Sequence, residues 1–210
     1  MFTSGVIKYD GISVQALEDG LLATEAECGA PSFTLDLAVF DDGTGEALYA
    51  GGYFDVSGAD PMAMIARWDG GSWSAVGGSY LREPHWYIER LRVLDLGDGP
   101  ALYAAGFFDE IGGVPAGGIA KWDGANWHGF DGGSSSSNPA NLGVTDAAAF
   151  EHEDGMALYV SGFFTSIGGA NARGIARYGC RCPDLSDDGA VDLADLAIVL
   201  STFGGPSGGN

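Results

Sequence analysis

The chain is poor in positive charge. Nine Lys and Arg stand against 29 Asp and Glu in 210 residues, a formal net charge of −20. Such a surface repels a phosphate backbone, which excludes nucleic acid as a partner. No apolar run reaches the roughly 20 residues of a bilayer-spanning helix, so no membrane span is expected. The opening MFTSGVIKYDG has neither a basic n-region nor an apolar h-region, so these residues carry no secretory signal. Cysteine is scarce and odd in number: Cys28, Cys180 and Cys182. At least one thiol is therefore left over in a monomer. The Cys-x-Cys pair falls two ligands short of a zinc site. The residues favour one disulfide, from Cys28 to Cys180 or Cys182, in an oxidising compartment, over a catalytic thiol with no His close by in sequence.

Catalytic motifs are missing too. His85, His128 and His152 stand singly, none in HExxH spacing. There is no Gly-x-Ser-x-Gly elbow. GGSSSSNPANLG at 132–143 lacks the Gly-Lys-Ser/Thr ending of a phosphate loop and reads as a flexible loop between repeats. A glycosidase needs a pair of carboxylates. Most Asp and Glu here sit in DDG, GDG and EDG turns, where hydrogen bonds to their own backbone account for them. The expectation is a protein without catalytic residues.

What the chain has in excess is glycine, 36 residues, together with 24 aromatics and no Gly-X-Y period. That combination suggests short strands and tight turns. A repeat of about 55 residues organises them. ALYAGGYFDVSG at 47–58 returns as ALYAAGFFDEIGG at 101–113 and ALYVSGFFTSIGG at 157–169. IARWDGGSWSAVGG at 65–78 returns as IAKWDGANWHGFDGG at 119–133, and begins again as IARYGC at 175–180. VIKYDGISV at 6–14 is a degenerate copy in which Tyr9 stands where Trp68 and Trp122 stand.

Each full repeat reads as four short strands, for example 35–43, 47–54, 64–70 and 72–76. The Asp-Gly and Gly-Gly pairs between the third and fourth mark hairpins, because Gly accepts a positive φ. Four antiparallel strands per repeat predict an all-β, β-propeller-like fold. The expected units are a partial blade at 6–17, blades at 34–78 and 88–131, and a partial blade at 144–179. The Trp and Tyr positions are expected to pack between neighbouring blades, with any exposed minority free to stack on sugar rings. Two complete and two partial blades fall short of the usual ring. The preferred expectation is an open array, a fragment of a longer secreted protein. The alternative is a very small ring in which the two half blades complete each other.

The pattern Gly-x-Phe, Gly-Gly, Ile-Ala-Arg/Lys-Trp-Asp-Gly, Trp resembles the repeats of large secreted bacterial proteins. It is similar to that of fungal cortical cell-polarity marker proteins, whose repeats are propeller-like. The resemblance covers most of residues 6–180 and implies a non-enzymatic role in binding or adhesion at a cell surface.

The last thirty residues are different in kind, a tail at 180–210. In CPDLSDDGAVDLADLAIVLSTFG (182–204), the ligand positions of an EF-hand calcium loop fall on Asp184, Ser186, Asp188, Ala190 through its carbonyl, Asp192 and Asp195, with Gly189 at the turn. Oxygen donors without His or Cys favour Ca2+ over zinc or copper. Leu193, Leu196, Ala197, Leu200 and Phe203 recur at helical spacing, so a helix is expected over 193–202, ended by Gly204–Gly205. Asp rather than Glu at the last ligand position resembles a type I dockerin half. The Gly-Cys-x-Cys-Pro lead-in resembles the tails of planctomycete-type secreted proteins. A dockerin has two such loops and this chain one, which counts against a cohesin-like partner and leaves the calcium loop intact. The function expected from all this is a secreted or cell-surface repeat protein that binds a surface protein or polysaccharide. The alternative is a carbohydrate-active enzyme or its carbohydrate-binding accessory.

Overall fold

The structure, a computed structural model, describes residues 6–18, 20–22, 32–57, 60–78, 85–130, 134–135, 143–152, 155–168 and 170–178. Those residues are all β, in antiparallel sheets of two to four strands, with no helix among them. The helix expected over 193–202 lies outside them.

The chain begins with a hairpin of β1 (Ile7–Tyr9) and β2 (Val14–Ala16). The first full repeat holds β3 (Phe33–Asp41), β4 (Glu46–Tyr53), β5 (Val56–Ser57), β6 (Asp60–Pro61), β7 (Ile65–Trp68) and β8 (Trp73–Ala75). Its sheet runs β3-β4-β7-β8, and β5-β6 forms a separate small hairpin between the second and third long strands. The second repeat copies this: β9 (Tyr87–Asp95), β10 (Pro100–Phe107), β11 (Glu110–Ile111), β12 (Val114–Pro115), β13 (Ile119–Trp122) and β14 (Trp127–Gly129). The third has β16 (Gly143–His152), β17 (Gly155–Phe163), β18 (Ser166–Ile167), β19 (Ala170–Asn171) and β20 (Ile175–Tyr178), with sheet order β16-β17-β20. Between the second and third repeats, β15 (Ser134–Ser135) pairs with β18. This corrects the reading of 132–143 as wholly a loop. A two-residue strand held by backbone bonds needs no apolar pattern of its own.

The sheet strands of each repeat fall close to where its recurring apolar runs put them. The small hairpins have no such signal in the sequence. In each, one amide closes the base: Met62 to the Asp55 carbonyl at 2.7 Å, Ala116 to Asp109 at 2.8 Å, Ala172 to Thr165 at 3.1 Å. Every first strand also carries a bulge at the same place, opposite the Gly of Gly-x-Phe. That Gly allows a close approach. A Cβ on Gly52, Gly106 or Gly162 would lie 2.2 Å from the carbonyl oxygen of Phe33, Tyr87 or Gly143.

The sheets stack, one face of each against the opposite face of the next. Tyr49 and Ile65 of the first sheet bury against Ile88, Leu91 and Leu102 of the second. Tyr103 and Ile119 of the second bury against Val144, Leu158 and Val160 of the third. Leu17 and Leu21, after β2, cover Ala66 and Trp73 on the far side of the first. The first strands β3, β9 and β16 lie next to one another along one edge of the stack.

Two tryptophans record the repeat in detail. The buried Trp127 indole donates to the Val76 carbonyl of the preceding repeat at 3.2 Å. Trp73 donates to the Leu17 carbonyl at 3.3 Å. The segment after β2 therefore stands to the first repeat as the end of β8 stands to the second.

Candidate functional site

The acidic turns hold much of the charge, and their aspartates do two different jobs. Some fold their own turn. Asp41 accepts the amides of Gly43 and Gly45, each at 2.9 Å, and Asp95 those of Gly97 and Gly99 at 2.8 and 3.1 Å. Asp69 accepts from Gly71 and Ser72 at 2.9 Å, and Asp123 from Ala125 and Asn126 at 2.8 and 2.7 Å. These are Asx turns, the local bonding expected from sequence.

Others reach across the sheet. Arg67 Nε lies 2.9 Å from Asp42, and the Tyr49 hydroxyl donates to the same carboxylate at 2.9 Å. In the second repeat Lys121, at the position of Arg67, pairs with Asp98, which stands where Thr44 accepts from Arg67 at 2.7 Å in the first. His128 Nε2 lies 2.7 Å from Asp123, so this histidine has a partner within its own hairpin. Asp98, Lys121, Asp123 and His128 line one shallow cleft.

The electrostatics of these groups follow from their partners. Burial alone would raise the Asp42 carboxyl. Hydrogen bonds from Thr44 and Tyr49, with the Arg67 charge, outweigh it and hold the group below its ordinary value. The Lys121 ammonium holds Asp98 down. The Asn126 amide first, then His128, bring Asp123 to about 2. Burial, then the charges of Asp98 and Asp95, push the Tyr103 hydroxyl up to about 12. Carboxyls held down are the reverse of a general acid, which needs a raised pKa.

Along the edge formed by the first strands, one guanidinium spans three repeats. Arg92 of β9 donates to Asp36 of β3 at 2.9 Å and to both oxygens of Asp146 of β16 at 3.0 and 3.1 Å. Asp36 and Asp146 sit at the bulges of their strands, which turn both toward Arg92. Asp36 also accepts the Leu91 amide at 3.0 Å. The paired charges sit far apart in the chain, and no spacing in the sequence marks them as partners.

Beside that edge runs a row of rings. Tyr53 stacks on Phe33 at 5.4 Å, Phe33 meets Tyr87 edge-on at 6.1 Å, Tyr87 stacks on Phe107 at 4.9 Å, and Phe107 lies 6.2 Å from Phe163. The inner rings spend their faces on each other. Phe163, at the end of the row, is exposed.

The expected calcium ligands Asp184, Ser186, Asp188, Ala190, Asp192 and Asp195 lie outside the described residues, as do Cys28, Cys180 and Cys182. Among the described residues, no three His, Cys, Asp or Glu side chains gather to hold a metal ion. No helix among them is long and apolar enough to cross a membrane. No family model, curated protein or solved structure matches the chain.

Proposed function

We propose that the chain is a non-enzymatic, secreted or cell-surface repeat protein for binding or adhesion. In this reading its sheets are propeller-like blades and its tail is a dockerin-like calcium module. The observation that carries it is the stacking of sheets of one topology around adjacent first strands, with the same bulge and the same tryptophan bond recurring. Stacked sheets with a common inner edge are how propeller blades are arranged. An enzyme would need carboxylates or other reactive groups kept available for a substrate. Asp42, Asp98 and Asp123 are instead engaged in turns or ion pairs.

The partner in this reading is a surface protein or a polysaccharide. A flat sugar-stacking platform is disfavoured in the row from Tyr53 to Phe163, because rings stacked on each other present edges rather than faces. The calcium reading is supported by the spacing of Asp184, Ser186, Asp188, Ala190, Asp192 and Asp195. Pull-down of the full chain on insoluble polysaccharides, run beside a glycoside-hydrolysis screen, tests the role. Retention without product release agrees with it. Release of reducing ends by the purified chain would overturn it in favour of a carbohydrate-active enzyme.

A further inference from the structure

We propose that the chain associates head to tail with a second copy of itself. The open face of the third sheet in each copy covers the open inner half of the first sheet in the other. Only the closure of the pair into a ring rests on the propeller reading; the choice of faces rests on exposure.

The repeats supply their own control. Ile65, Ile119 and Ile175 hold one position, opposite Gly51, Ala105 and Ser161. The first two are 1 % and 0 % exposed, because the next sheet covers them; Ile175 is 64 % exposed. Phe40 and Phe150 hold another shared position, at 4 % and 60 %. On the opposite faces, Leu91 of the second sheet is 2 % exposed and Leu37, its counterpart in the first, 45 %. Residue type is the same within each comparison, so what these faces lack among the described residues is a neighbouring sheet. The row of rings stops at the third sheet, where Phe163 is exposed.

The covering face is specified as well as missing. Both internal contacts join the face carrying Ile65 or Ile119 to the face carrying Leu91 or Val144. The two open faces of one chain are the two halves of that same contact. Leu17 and Leu21 already cover the outer half of the first sheet, at Trp73. Among the described residues, what remains open is the inner half around Leu37, which in the internal contacts is covered by a first and second strand. Strands β16 and β17 of another copy are such a pair and carry Phe150 and Tyr159 on the required face. Two chains bring six large sheets together, within the range of about four to eight in closed propellers. β1 and β20 hold the same place in the repeat, third in order, so β20 takes the place of β1 in the joined sheet. All three residues of β1 are exposed, and its described strand partner is β2.

Sedimentation velocity of the full chain at micromolar concentration is the test. The expected mass is about twice the 21.6 kDa of one chain. Ile175→Glu and Leu37→Glu each alter an exposed residue, so folding is retained, checked by circular dichroism. Each alone is expected to weaken association at least tenfold, equivalent to about 1.4 kcal/mol, because it places a charge in an apolar interface. A mixture of the two variants regains a dimer, because one pair of faces in it is unaltered. A wild-type monomer, or a mixture as monomeric as its components, overturns the proposal. Failure of the propeller reading looks different: the mixing result stands, but electron microscopy of the dimer finds no central opening.

Discussion

At the scale of single residues, the repeat is kept by positions that admit few alternatives. Gly106 is one. A methyl group there meets the Tyr87 carbonyl oxygen at 2.2 Å, and backbone cannot swing aside as a side-chain end can. Gly106→Ala is expected to cost about 1–3 kcal/mol in urea unfolding, the range for overpacked sites. An unchanged midpoint would mean that the bulge opposite it is not formed. Asp123 gives a pH test. Its carboxyl is held at about 2 against an ordinary 3.8. A depressed carboxyl adds stability that is full above its unfolded value and is lost as pH falls through its folded one. Asp123→Asn should therefore melt below wild type at pH 7, with the gap closing as pH falls to about 2. A gap independent of pH would remove the charge from the explanation. The Asx bonds behind this were legible in the sequence, since they join residues two or three apart. The ion pairs were not. Lys121 and Asp98 are 23 residues apart and meet only because β10 and β13 are neighbours.

At the scale of elements, the sheet strands were legible because apolar runs such as LDLAVF and ALYAGGYF recur from repeat to repeat. The small hairpins β5-β6, β11-β12 and β18-β19 were hidden because two-residue strands show no alternation. The last two carry a recurring Ile-Gly-Gly, at 111–113 and 167–169, which marks a turn without saying that strands flank it. The terminal loop and its helix are argued from sequence, and solution binding decides them. Isothermal calorimetry at millimolar calcium is expected to give one binding event that also raises helical circular dichroism, since a ten-residue helix is marginal alone. Asp195→Ala should abolish the heat and Ser186→Ala only weaken it. Magnesium should substitute poorly, because it holds its waters in a tighter octahedral shell. Heat that survives Asp195→Ala would end the assignment of that loop.

At the scale of the whole molecule, the sequence announced how many times the unit recurs, and the structure adds how units meet. Apolar residues on both faces of a strand say that both are covered; they do not say by which neighbour. Here each sheet meets the one next to it in the chain, with Arg92 tying Asp36 and Asp146 across three repeats. That arrangement is the premise of both the propeller reading and the head-to-tail pair. Nuclear Overhauser spectroscopy on the labelled chain tests it most directly through the two indole protons. The account predicts cross-peaks from the Trp73 indole to Leu17 and from the Trp127 indole to Val76, each joining one repeat to the one before it. Indole cross-peaks confined to a tryptophan's own repeat, or reaching a repeat that is not adjacent, would contradict it.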